Sequence, residues 1–406
     1  MLSLLTLLSA SAEEPALVID TYNVGLAHGF VDYASDRMPG IIGALQESEA
    51  DVLCLQEAWE DADRRDIEDA LADVFPHTRY TQTTQRKADE SPACRKKELF
   101  GEGRFVSCMQ TDCAGTSGDE RTNCIIERCG PVLDELKSSN PQCANALMAQ
   151  VGKSAPAALW AIMRPIRKAG LYAYGGSNGL MILSREPLAE VGVLDFSDIA
   201  TLNRRQALYV DVAWDEGTTR VYCTHLSADL SEIAPYPGSF ASWGEENAAQ
   251  IDALLQHAEG LESVALVGDF NCGLEGTGLA GELSESCMKI LDASYLDPVV
   301  ELGGRCTWCL DNHLNAGDEY ESLIDHIFTR GLTPISAERS YTQALDIGDG
   351  ITTSLSDHYG YRVTVSYGDP PPPPPPPPPP EPEEPTEGVN VEGGDAEGAE
   401  GEEGGE

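Results

Sequence analysis

The chain has 406 residues, enough for one large domain or two modest ones with a sizeable buried core. A hydrophobic content of 41% and 14 Tyr exclude a wholly disordered chain. The formal net charge is −42; residues 381–406 supply eleven of the acidic groups and no basic one, so −31 remains on residues 1–380. Such a body repels polyanions unless basic groups are gathered locally, and it suits a protein that collects divalent cations.

In chain order, residues 1–12 (MLSLLTLLSASA) read as a signal peptide: a short apolar run followed by small residues at a cleavage point. The missing basic start leaves a plain N-terminal extension as the alternative. Residues 16–24 (ALVIDTYNV) read as a buried strand, 35–49 as a helix and 51–57 (DVLCLQE) as a second buried strand.

Residues 82–170 break this pattern. They hold few strand signals, two helix candidates at 122–137 and 156–170, and 13 of the 26 basic residues against 10 acidic ones. This stretch reads as a disulfide-stapled insertion in a loop of a catalytic domain spanning 13–368. Further strands are expected at 179–184, 206–213, 219–225, 264–270, 323–329 and 361–367, with a helix at 245–259. Mixed elements of this kind predict an α/β sandwich with helices outside two packed sheets. Residues 369–406 read as a polyproline and acidic disordered tail. Pro370–Pro380 is a stiff polyproline II spacer of roughly 35 Å, and the Gly/Glu-rich remainder lacks apolar surface to bury.

Twelve cysteines, six of them within residues 94–143, predict a disulfide framework and an oxidising compartment, so a secreted or periplasmic protein. The only CxxC, Cys306 to Cys309, has no second close pair to complete a zinc site. Cys54 and Cys223 read as small hydrophobes in core strands. Cys272 is a candidate to pair and rigidify its loop.

Polar residues interrupt apolar strands at or just after their ends: Asn23, Glu57, His225, Asp269 with Asn271, and Asp357 with His358. Asp325 lies inside another. Burying such groups is costly without a partner or metal, so six in one chain point to a shared site at one rim of the sandwich. Glu57 and Asn23 offer hard oxygen ligands for Mg²⁺. Two histidines suit acid and base work. Asp325 is placed to orient His358, and Asp269 with Asn271 to position and deprotonate water. His28, His77, His257, His313 and His326 read as surface or structural residues.

Thr21-Tyr22-Asn23-Val24, Leu55-Gln56-Glu57, Thr224-His225-Leu226, Gly268-Asp269-Phe270-Asn271, Ile324-Asp325-His326-Ile327-Phe328 and Ser356-Asp357-His358 together resemble the ordered motif series of the endonuclease/exonuclease/phosphatase superfamily. That superfamily includes deoxyribonuclease I and the neutral sphingomyelinases. The resemblance implies a four-layer αββα sandwich. It implies Mg²⁺ (Mn²⁺ or Ca²⁺ being alternatives) on Glu57 with Asn23 nearby and Asp357 close to the metal. His225 and His358 then flank the scissile phosphate, with Asp325 behind His358. Arg205 matches a phosphate-contacting Arg, and Asn178 is a second substrate-binding candidate. His358 with Asp325 is favoured as base and His225 as acid, with Asp269 as base left open.

The expected partner is a phosphodiester, and the expected state a monomer. Tyr22-Asn23-Val24-Gly25-Leu26 and Thr307-Trp308 with Asn312-His313-Leu314-Asn315 are similar to sphingomyelinases, which favours a phospholipid over nucleic acid. The basic amphipathic stretch 157–174 is a candidate for peripheral membrane contact. A secreted endonuclease of the deoxyribonuclease I kind, in which the basic insertion would bind the phosphates of nucleic acid, is the alternative. A catalytically dead binding module has no use for both histidines with Asp269 and Asn271.

Overall fold

The computed structural model describes residues 16–28, 30–82, 93–116, 118–150, 155–164, 171–214, 217–231 and 236–367. The expected signal peptide and the tail at 369–406 lie outside these residues. The first half of the chain gives β1 (Leu17–Asn23), β2 (Val52–Gln56), β3 (His77–Arg79) and β4 (Met181–Ser184). Then come β5 (Leu188–Asp195), β6 (Gln206–Trp214), β7 (Gly217–His225), β8 (Val264–Asp269) and β9 (Asp325–Arg330). The chain closes with β10 (Leu332–Ser340), a ribbon of β11 (Ala344–Asp346) and β12 (Thr352–Ser354), and β13 (Gly360–Tyr367).

Two sheets result. One runs β10-β13-β1-β2-β4-β3 and the other β5-β6-β7-β8-β9. Their facing residues form one core: Ile19, Val52, Cys54 and Ile182 from the first sheet meet Leu208, Val210, Val221, Ala265 and Val267 from the second. The alternate residues point outward. Leu53, Leu55, Met181 and Leu183 pack under the helices Ala34–Gln46 and Asp61–Leu71 through Ile41, Leu45, Ile67 and Leu71. Tyr222, Val264 and Leu266 pack under the helices Trp243–His257 and Ser284–Asp292 through Ile251, Leu254 and Ile290. Strands buried on both faces explain the near-continuous apolar runs in the sequence. The four-layer α/β sandwich is therefore observed.

Cys54 and Cys223 are not free hydrophobes. They form a disulfide that joins β2 to β7 across the inter-sheet core, with Cα atoms 5.4 Å apart. The Cys-rich stretch fills the connection between β3 and β4 and builds its own small core, with Leu99, Phe105, Leu133, Leu136 and Ile162. Cys94–Cys143, Cys108–Cys129 and Cys113–Cys124 staple it. Its first expected helix appears as Gly118–Ser139 and its second as Ala155–Met163; residues 165–170 of the second lie outside the described residues. Three further short helices, Lys96–Leu99, Phe105–Thr111 and Pro141–Met148, were not expected. Among the described residues no helix is long and apolar enough to cross a membrane.

Candidate active site

The sheets deliver the polar residues to one rim. Asn23 ends β1, paired with Gln56 at the end of parallel β2, so Glu57 follows beside it. In the other sheet His225 ends β7 opposite Asp269 at the end of β8, and Asp269 stands opposite Asp325 at the start of β9. These registers set His225, Asp269 and Asp325 side by side in one row. The row and the first sheet then meet: Asn23 Nδ2 donates to Asp269 Oδ2 at 3.0 Å.

The remaining distances close the group. His225 Nε2 lies 3.4 Å from Asp269 Oδ2 and 4.0 Å from Glu57 Oε1. The Asn271 backbone N–H donates to Asp269 Oδ1 at 2.9 Å. His358 Nδ1 pairs with Asp325 Oδ2 at 2.8 Å, both residues being buried. Asp269, Asp325 and His358 offer potential ligand atoms within 4.8 Å of one another. Glu57 and Asn271 adopt left-handed backbone at φ 60° and 49°. Gly25, at φ 54°, leaves room for Asp357: a Cβ there would lie 2.3 Å from Asp357 Oδ1.

Charge and burial divide the titrations. Burial, then the charges of Arg205 and His358, hold His225 well below the ordinary imidazole range. Burial also pulls on His358. Asp325, by charge and hydrogen bond, and the charges of Asp269 and Asp357 outweigh it and hold His358 well above that range. Asp269 is pushed up to about 7 by burial and by the neighbouring charge of Asp325. Glu57 is raised by burial first and by the charge of Asp357 second.

The residues fit a hard divalent cation. Glu57 and Asp357 repel one another, and each offers carboxylate oxygens. Asn23, paired with the residue before Glu57, accepts the Gly25 N–H on Oδ1 at 3.1 Å and keeps a lone pair there. A dication there relieves the repulsion, and an all-oxygen donor set is what Mg²⁺ takes.

The sequence pattern of the Endonuclease/Exonuclease/phosphatase family matches residues 21–358. The chain belongs to this family. Among solved structures it is similar to an endonuclease/exonuclease/phosphatase from Beutenbergia cavernae DSM 12333, with TM-score 0.50 and 17% identity, covering 87% of this chain and 72% of that one. It is also similar to sphingomyelinase C from Streptomyces griseocarneus (TM-score 0.47, 16% identity, 86% and 99% covered). The same holds for D. rerio TDP2 complexed with single-strand DNA product (TM-score 0.47, 16% identity, 86% and 99% covered). At such identities the shared property is the fold. No curated protein matches the chain. Family members are phosphoesterases or nucleases as a rule, so a hydrolase is the coarse assignment, and divalent metals are their common cofactors.

Within this family frame, Arg205 is at the site. It is 5% exposed, its Nε and Nη1 have no hydrogen-bond partner among the described residues, and its charge is felt by Glu57 and His225. Asn178 is buried and hydrogen-bonded. Its amide donates to Gln206 Oε1 at 2.7 Å and Thr81 Oγ1 at 2.9 Å and accepts from the Leu180 N–H at 3.2 Å. These bonds fix its side chain next to Gln206, the residue that follows Arg205. His326 is structural as expected, buried against Asp297 at 2.8 Å. Cys272 does pair, with Cys287, behind Asn271.

Sequence reasoning missed the aromatic wall. Trp59 tilts against His225 with ring centroids 5.9 Å apart. Tyr174 stacks on Trp59 at 4.2 Å, and Phe30 meets Tyr174 edge-on at 6.0 Å. Trp59 lies two residues after Glu57, the one signal available. Two fully buried guanidiniums were also missed. Arg37 donates to the carbonyls of Gly25 at 2.6 Å and Leu355 at 2.5 Å, and Arg64 to Ala58 O at 2.7 Å and Ser177 Oγ at 2.6 Å. Both brace the loops that carry site residues.

Proposed function

We propose that the chain is a Mg²⁺-dependent phosphodiesterase acting in an extracytoplasmic, oxidising compartment, with a phospholipid headgroup diester as substrate in the manner of a sphingomyelinase-like phospholipase C. The observation that carries this reading is the convergence of Asn23, Glu57, His225, Asp269, Asn271, Asp325 and His358 on one rim. The six disulfides support the compartment.

Glu57, Asp357 and Asn23 would hold Mg²⁺, which when bound polarises a phosphoryl oxygen and offsets developing negative charge. Asp269 is the base. Its pKa of about 7 lets it take a proton from water near neutral pH, while Asn23 and the Asn271 N–H fix its two oxygens. This moves the base from His358, because His358 keeps its proton against Asp325. His358 serves instead as the cation that contacts the phosphoryl group and hands a proton to the leaving oxygen. His225, neutral, keeps Asp269 and Glu57 apart. Arg205, with unpartnered N–H groups, takes a second phosphoryl oxygen.

Lipid is favoured by the acidic body and by the open end of the aromatic wall, where Phe30 is 61% exposed. Trp160, on the helix of the expected membrane-contacting stretch, is 57% exposed. The test is purified protein on sphingomyelin vesicles and on plasmid DNA side by side, with Mg²⁺ and with excess chelator. Headgroup release without DNA nicking, lost with chelator, is expected. DNA nicking alone would replace the lipid reading with the endonuclease one, and turnover in excess chelator would remove the metal.

A further inference from the structure

We propose that Thr307, held in the ring closed by Cys306 and Cys309, is a positioning residue for hydrolysis that sets the Asp325–His358 pair. The inference rests on the reading of that pair as catalytic.

Thr307 is fully buried. Its Oγ1 accepts from the backbone N–H groups of Ile324 and Asp325, both at 3.2 Å. Its carbonyl accepts from the Tyr359 N–H at 2.9 Å, and its own N–H donates to Ser322 O at 2.9 Å. One residue therefore ties the start of the strand that carries Asp325 to the residue after His358. The hydroxyl does more than fill space, since an apolar replacement leaves two buried donors without an acceptor.

The rest of the ring serves the same end. Trp308 bridges to both Ser322 and His358, and its ring meets the His358 ring edge-on with centroids 5.2 Å apart. Cys306 and Cys309 are buried and bonded to each other. Arg339 Nη1 lies 3.2 Å from Cys309 Sγ, and its guanidinium covers the Tyr359 ring at 4.5 Å. Just past the ring, Asn312 and Asn315 donate to Ser356 O and Asp357 O, both at 2.8 Å. The four-residue ring thus limits where Thr307 sits, and Thr307 limits where both catalytic partners sit. Arg205 and the aromatic wall lie on other segments, and His358 hands over the proton, so loss of this control is expected to fall mainly on the chemical step.

The experiment uses the full chain, Mg²⁺ and bis(4-nitrophenyl) phosphate, with folding followed by circular dichroism melts. Thr307→Val keeps the shape and removes the acceptor; its kcat is expected to fall roughly 10- to 100-fold with KM little changed. Thr307→Ser keeps the acceptor and is expected to retain most of kcat. Unchanged kcat in Thr307→Val, or an equal loss in both variants, overturns the proposal. If Thr307→Val does not fold, the double variant Cys306→Ser with Cys309→Ser keeps the hydroxyl but opens the ring: a lower kcat at constant KM supports the proposal and an unchanged kcat overturns it. His358→Ala separates the two levels. If it is inactive while Thr307→Val is fully active, only the positioning inference fails; if it keeps its rate, the catalytic reading itself fails.

Discussion

Glu57 and Asn271 hold left-handed backbone although neither is glycine. Such conformations cost of order 1–3 kcal/mol each and persist where the surroundings impose them. Here both turn a side chain off a strand end into the rim. Asp269 carries a related cost, a buried carboxyl whose pKa is raised to about 7. Its folded pKa exceeds its unfolded one, so its ionised form opposes folding, and stability falls as pH rises from about 4 to about 7. Asp269→Asn is therefore expected to raise the melting temperature at pH 8 and to change it little at pH 4. The same variant should lose roughly 10²–10⁴-fold in kcat. In the wild type kcat/KM should climb as pH rises through about 7, as the base deprotonates. His358→Ala is expected to lose a similar factor in kcat and, because it leaves the buried Asp325 carboxylate without its cationic partner, to lower the melting temperature as well. A variant with near wild-type rate would remove His358 from the chemistry.

At the scale of elements, the central strands were legible and the edges were not. β1, β2, β7 and β8 are largely buried and wrote themselves as apolar runs ending in a polar residue, which is why the site could be read from them. β5 has no buried residue, β3 has three residues, and β10 contains Pro334 where its register shifts, so none leaves a run to find. The helix Asp61–Leu71 was missed for a related reason: Arg64, Ile67 and Leu71 are its only buried residues, and one of them is charged. The Cys54–Cys223 bond was invisible because each cysteine sits inside an apolar strand, and pairing appears only once two sheets are stacked. Converting both to Ser is expected to destabilise the fold by about 2–5 kcal/mol in a urea melt. Activity should survive at 25 °C, because the bond lies in the core and not on the rim; loss of activity in a folded variant would contradict this.

For the whole molecule, the charge of −42 sets how substrates arrive. Added salt should raise kcat/KM on an anionic diester, whose approach the acidic body opposes, and leave a zwitterionic one nearly unaffected. The opposite salt dependence, a fall on DNA, would mean that the basic groups between β3 and β4 steer substrate. The whole molecule also explains why the Cys-rich stretch needs its own staples. It joins two neighbouring strands of one sheet, yet packs around a separate core with three disulfides.

The transverse line of His225, Asp269 and Asp325 has a further consequence. Successive side chains of a strand alternate between faces, so a slip of β8 by one residue against either neighbour would swap Asp269 for Gly268 or Phe270 and turn a carboxylate away. No misaligned sheet can hold a partly competent centre. During folding, turnover should therefore emerge together with correct strand alignment and never ahead of it, which makes the enzyme a reporter of its own registry.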